Sequence, residues 1–305
     1  VDFVDLIAAY GPFNPDGDDV EAAALSEAEA TRRKAELIGM VEELLARANY
    51  EEIPPAKLPE VINEQNPYGL DFDVDLDEYQ TLIVFTRGQY EEDLTGDLIE
   101  KVLGRGKTVT VTKFKRLFVL MELKSEALRV AEVMHKNGLD HPKALKAVRK
   151  ARKAVPPHFT SGRIYMKLFR GIPRSDLEML LPNTRIKFKK RDKLTIGVTA
   201  GGGAVGVASK LTAAAAALTP GGIGIAAFAL LGVAGQQFNK FVQVRTRYMM
   251  QLAQSLYFQN LANNQGVLAL LAERGEEEDI KEELLLYTLI ARHGSSRAGL
   301  DAARR

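Results

Sequence analysis

Apolar residues along this chain follow three rhythms, and each predicts a different kind of element. In "SEAEATRRKAELIGMVEELLARANY", Leu37, Val41, Leu44 and Leu45 recur at steps of three and four behind Ser26. That spacing and start signal predict an amphipathic helix. "IPPAKLPEVINEQN" then reads as a proline-broken loop with a short helix after it. A second rhythm is alternation. Phe72, Val74 and Leu76 alternate with acids in "DFDVDLDE", and three further runs are rich in β-branched and aromatic residues. These are "TLIVFTRG", ending at Gly88, "KTVTVTKFKRLFVLMEL", and "GRIYMKLFRGIP", ending at Pro173. All four read as strands. Their order predicts an α+β fold, with an antiparallel sheet packed with helices.

The third rhythm is an unbroken apolar run. Between Asp192 and Glu273 there is no carboxylate at all, whereas charged residues make up about a quarter of an ordinary globular chain. Within it Gly201, Gly203 and Gly206 have the spacing of a dinucleotide-binding turn. That turn requires an acid about 20 residues later for the ribose, and the stretch from Ile223 to Ala227 is wholly apolar.

The better reading is a helical hairpin. Leu194–Leu218 carries one charge, Lys210, Thr219–Gly222 is a breaker cluster, and Ile223–Phe238 is uncharged. A hydrocarbon core is crossed by about 20 apolar residues. Cationic flanks from Arg185 to Lys193 and from Lys240 to Arg247 place both ends on the cytoplasmic or matrix side. Gly197 and Gly201, then Gly202 and Gly206, lie four apart, which lets helix backbones approach closely. An all-apolar hairpin inside a globular core is the alternative.

The expected layout is therefore an α+β domain over 1–190, a transmembrane hairpin over 191–240 and a C-terminal helical segment over 241–305. In that last segment Phe241, Val244, Tyr248, Leu252 and Leu256 mark one helix face. "LANNQG" interrupts it, and "EEEDIKEELLLYTLIAR" makes a further amphipathic helix with acids in its first turn. The end, from Ser295 to Arg305, reads as an arbitrary stop, and both ends are expected to be incomplete.

Charge changes this picture locally. The formal net charge is +1, which gives no reason to expect a nucleic-acid partner. The excursion 124–160 is basic, and "PKALKAVRKARKA" reads as a helix that is solvated or rests on anionic lipid headgroups. With no cysteine, disulfides, thiolate metal sites and cysteine nucleophiles are excluded.

Catalytic patterns are absent from the sequence. Asp71, Asp73 and Asp75 resemble a calcium loop, but Leu76 and Leu82 stand where Gly and Glu belong. His135, His141, His158 and His293 have no metal-ligand spacing. No cofactor or metal is expected. In "RGIPRSDLEMLLP", Ser175 or Asp176 reads as the cap of a short helix, with Asp176 and Glu178 stabilising its first turn.

At this stretch the sequence resembles the transmembrane protein 143-like proteins, which carry domain of unknown function 3754. The residues concerned are "KLFRGIPRSDLEMLLPNTRIKF" from Lys167, "SLYFQNLANNQGVLALL" from Ser255 and "EELLLYTLI" from Glu282, with "FTRGQY" and "FKRLFVLMEL" upstream. The resemblance implies a membrane protein with a two-helix hairpin, mitochondrial in animals, and brings no catalytic residue.

Three functions follow as expectations. The first is a membrane-anchored scaffold in a mitochondrial or bacterial cytoplasmic membrane, forming homo-oligomers through its small-residue hairpin. The second is an oligomeric pore or transporter with Lys210 facing the lumen, since a charge within an apolar span is usually functional. The third is an enzyme using Asp176, Glu178 or Arg87, with Pro173 shaping the turn.

Overall fold

The computed structural model describes residues 2–17, 25–62, 71–94, 109–153, 155–187 and 257–293. The chain divides into two compact units, one of Val1–Glu64, Val74–Thr184 and Gln259–Arg305, the other of Gln65–Asp73 and Arg185–Phe258. The described core of the second unit is one antiparallel pair, β2 (Asp71–Asp73) with β6 (Arg185–Lys187), which sets Phe72 opposite Ile186.

The first unit is built on a five-stranded sheet. Its strands are β1 (Glu51–Glu52), β3 (Tyr79–Leu94), β4 (Val109–Leu123), β5 (Ile164–Pro173) and β7 (Asn260–Asn263), in the order β1-β3-β4-β5-β7. Every neighbouring pair is antiparallel. β3 continues past its expected end: Gly88 takes a left-handed conformation, φ +68°, which lets the strand run on to Leu94.

Register assigns the faces. Phe85, Phe118 and Leu168 stand opposite one another, as do Ile83, Leu120 and Met166. This face carries the main core, closed by α1 (Phe3–Tyr10), α2 (Glu27–Arg47) and the start of α6 (Gln265–His293). The periodic Leu37, Val41, Leu44 and Leu45 of α2 are all buried there, and Ser26 accepts a hydrogen bond from the Glu29 N–H as its cap. At Gly275 a Cβ would stand 3.7 Å from both Leu44 and Arg47, an ordinary contact distance, so α6 lies against α2 here.

The opposite face presents Leu117, Val119, Met121, Tyr165 and Phe169. The short helix α3 (Leu58–Ile62) and a 3₁₀ segment, Arg174–Leu180, pack together, and the 3₁₀ segment also contacts β4 and β5. Between β4 and β5 the basic excursion forms two helices, α4 (Glu126–Asn137) and α5 (His141–Arg152). Gly138, φ +61°, ends α4 in the left-handed turn that glycine tolerates best. Val130, Ala144 and Val148 make a small cluster of their own.

Several expectations require correction. "DFDVDLDE" is not one strand: after β2 the chain turns, and Asp75 caps a 3₁₀ turn over Leu76–Glu78 by accepting from the Asp77 N–H. "EEEDIKEELLLYTLIAR" does not start a helix, because α6 already begins at Gln265 and places those acids in its middle. The transmembrane hairpin is not supported. Among the described residues no helix is long and apolar enough to cross a membrane. α6 has the length, with 29 residues, but its middle carries Glu273, Arg274, Glu276, Glu277, Glu278, Asp279, Lys281, Glu282 and Glu283, which hydrocarbon does not accept. The multi-pass membrane reading, its membrane localisation, the anchored scaffold and the pore fall with it. Gly197, Gly201, Gly202, Gly206 and Lys210, and the helix expected over Phe241–Leu256, lie outside the described residues.

Candidate functional site

Two groups of buried polar residues meet where β3 begins. The first joins the acidic turn 75–78 to the helical insertion. Glu78 is buried, and its carboxylate accepts from Arg129 Nε at 3.0 Å and from Arg152 Nε at 2.9 Å. Arg129, itself buried, also donates to Asp75 Oδ2 at 2.8 Å and to Glu132 Oε2 at 3.2 Å. Arg152 donates to the Lys124 carbonyl at 2.7 Å. Around the rim Lys136 meets Asp77 at 2.8 Å and Lys124 meets Glu132 at 2.7 Å. The Lys136 ammonium holds the Asp77 carboxyl below its usual range, as the Lys124 ammonium does for Glu132. Asp77, Lys124, Arg129, Glu132, His135 and Lys136 line a shallow open pocket here. Each of its carboxylates already receives a cation, so the cluster works as a clamp.

The second group is the segment that follows Pro173. Pro173 closes β5 opposite Lys113 and precedes the 3₁₀ segment, which has no side-chain cap bond. Ser175, Asp176 and Glu178 are buried, so the expected first-turn capping role gives way to an interior one. Ser175 Oγ donates to Asp176 Oδ1 at 3.2 Å. Burial pushes the Asp176 carboxyl up to about 6, against the opposing pull of the Ser175 hydroxyl and of the Lys113 charge. The Thr184 hydroxyl donates to the carbonyls of Glu178 and Leu181. Asn183 links the two groups: its Oδ1 accepts from the Tyr79 hydroxyl at 2.6 Å, and its Nδ2 donates to the Asp75 carbonyl at 2.6 Å. Burial raises the Tyr79 hydroxyl well above its ordinary value.

Arg87 stands elsewhere, on β3, and donates to Glu278 of α6 at 2.8 Å. Asn49 and Lys281 donate to the same carboxylate at 3.0 and 2.9 Å, and Arg47 meets Asp279 at 2.5 Å. Hydrogen bonds from Lys281, Arg87 and Asn49 pull the Glu278 carboxyl down to about 2. These contacts fasten α6 at the rim of the core.

Of the residues singled out in the sequence, the structure therefore gathers Pro173, Asp176 and Glu178 into one segment and sets Arg87 apart as a tie to α6. Arg129, Glu78, Asn183 and Asn264 were not singled out. Asn264, φ +50°, turns the chain from β7 into α6. Its Oδ1 accepts from the Met166 N–H at 3.2 Å, and its Nδ2 donates to Asp16 at 2.7 Å. Its signal in the sequence is the Asn-Asn-Gln-Gly breaker run, which on its own reads only as an interruption of the helix. Among the described residues no group of three or more His, Asp or Glu side chains can hold a metal ion.

No solved structure matches this chain. A family model described as "Protein of unknown function (DUF3754)" matches residues 114–266, about half of the chain, from Phe114 in β4 to Gly266 in α6. The match takes in Arg129, the buried segment after Pro173, Asn183 and the Asn264 corner, and the chain belongs to this DUF3754 family of proteins of unknown function.

Proposed function

We propose that the chain is a protein-interaction module that pairs with a second copy of itself through the outer half of α6. The observation that carries this is the exposure of a large apolar surface on a helix otherwise rooted in the core. Val267, Leu268 and Leu271 are fully buried, whereas Ile280, Leu284, Leu285, Leu286 and Tyr287 are each more than half exposed. Contiguous exposed apolar patches of this kind mark interaction sites. Ile280, Leu284, Tyr287 and Ala291 follow the four-three-four spacing of a helix–helix seam.

Charge selects the partner and its direction. The acids Glu276–Asp279 and Glu282–Glu283, with Lys281 among them, lie towards one end of the exposed half, and the cation Arg292 lies at the other. A second copy running antiparallel sets Leu284 against Tyr287 and brings the acidic end of each helix beside the cationic end of the other. A parallel copy sets acid on acid.

Sedimentation equilibrium of the full chain tests the reading. A dimer is expected, and Leu284→Glu with Tyr287→Glu is expected to give a monomer with unchanged circular dichroism. A wild-type chain that stays monomeric over the accessible concentrations overturns the proposal, as does a double variant that still dimerises. Within DUF3754 we also place the chain beside the transmembrane protein 143-like proteins, on the residues of 167–188 and 255–271. That likeness supplies no catalytic residue, and the pairing argument does not use it.

A further inference from the structure

The cations of the insertion between β4 and β5 sort into two sets. Lys124, Arg129, Lys136, Arg149 and Arg152 each meet a carboxylate, of Glu132, Glu78, Asp77, Glu126 and Glu78 in turn. Lys143, Lys146, Lys150 and Lys153 are exposed, and none of them forms an ion pair with a described carboxylate. Steps of three, four and three residues put these lysines in one row along α5 and its C-cap. The row spans about 15 Å at the helical rise. Ala144 and Val148, the buried residues of α5, lie on the opposite side and pack with Val130 of α4.

Such a row works against the helix that carries it. Lysines three and four apart on one helix face repel one another, and α5 carries no acid between them. α6 shows the ordinary remedy, where Lys281 follows Glu278 and Glu277 by three and four residues and pairs with both. α5 lacks that remedy. Its two arginines are engaged with Glu126 and with the buried Glu78, which fixes the helix with its lysines turned outward. Its buried apolar residues are already packed against α4, so the face that remains offers charge rather than apolar surface.

We propose that the lysine row of α5 is a docking surface for an anionic lipid bilayer, on which the chain adsorbs by charge with no helix crossing or entering the hydrocarbon. The chemistry of the row selects this partner. Ammonium groups on long flexible stems attract a fluid layer of headgroup phosphates and carboxylates without needing fixed geometry. A nucleic acid is matched less well. Both arginines of α5 are already paired, which leaves no free guanidinium fork for phosphate, and the helix has no Phe, Tyr or Trp on which a base stacks. A straight row on the outer side of a helix lies flat against a plane. Each lysine near such a surface strengthens adsorption about fivefold, and the attraction falls as salt rises.

Co-sedimentation of the full chain with vesicles tests this. Wild type is expected to pellet with phosphatidylcholine vesicles that contain phosphatidylserine, to stay in solution with pure phosphatidylcholine, and to be released by added sodium chloride. Lys146→Gln with Lys150→Gln is expected to weaken binding about 25-fold and to keep the wild-type circular dichroism. Lys57→Gln with Lys115→Gln, which removes the same charge from exposed sites outside the insertion, is expected to weaken it far less. Equal losses from the two double variants overturn the proposal, because net charge and not the row would then govern binding. Equal binding to neutral vesicles overturns it as well, as does binding to polyuridylate RNA with none to the anionic vesicles. The comparison of the two variants holds whether or not α6 pairs.

Discussion

The two halves of α6 contain the same kinds of apolar residue and meet opposite fates. In the first half Val267, Leu268 and Leu271 fill the core beside Leu44 and Phe118. In the second half Leu284, Leu285, Leu286 and Tyr287 face outward. Nothing intrinsic to leucine distinguishes them. α6 lies against α2 at Gly275, the Arg47–Asp279 and Arg87–Glu278 contacts hold it there, and past them its large apolar side chains are exposed among the described residues. Burial is thus a property of what surrounds a residue, and the chain keeps a second apolar surface in reserve.

The contrast can be sharpened by paired substitutions. The largest effect is expected where surroundings are charged and closed. Arg129→Met leaves Glu78 buried without one of its two cations, which costs about 3–5 kcal/mol. Arg292→Met, at an exposed site, is expected to shift the urea midpoint little. Next come the leucines: Leu268→Ala is expected to lower stability by about 2–5 kcal/mol through its cavity. Leu285→Ala, measured at a concentration where the chain is monomeric, is expected to change it by under about 0.5 kcal/mol. Equal losses at the two leucines would erase the distinction between the halves.

The third pairing is one of pH. The Asp176 carboxyl is raised in the folded chain to about 6. Its stabilising contribution is therefore complete below the unfolded carboxylate pKa and is lost as pH rises through that window. The loss is of order 3 kcal/mol between about pH 4 and pH 7. Urea unfolding of wild type and Asp176→Asn at both ends of the window checks this: the variant is expected to lack that part of the slope. An unchanged slope would mean that Asp176 is as well solvated folded as unfolded.

What the sequence made legible was whatever rests on local periodicity. Leu37, Val41, Leu44 and Leu45 share a face at helical spacing, and all are buried. The β-branched runs became β3, β4 and β5. The polar interior was hidden because it depends on residues distant in the chain. Arg129 reads as one more charge on a solvated helix, yet it closes on Asp75 and Glu78, some fifty residues upstream. Asp176 and Glu178 read as acids placed to suit a helix dipole, yet they lie inside. Alternating acids mimicked a strand where Asp75 turns the chain. The acid-free run invited a membrane reading by composition alone, and the helices described here do not support one.

The manner in which α4 and α5 are attached has a consequence for motion. This pair of helices shares little oil with the body of the fold and is tied on through guanidinium and ammonium groups. Added electrolyte weakens the exposed rim pair Lys136–Asp77 but reaches the buried Glu78–Arg129 pair far less. Once Arg129→Met removes the central cation, the insertion should swing open as a separate cooperative unit, its amides trading hydrogen for deuterium while those of β4 and β5 stay protected.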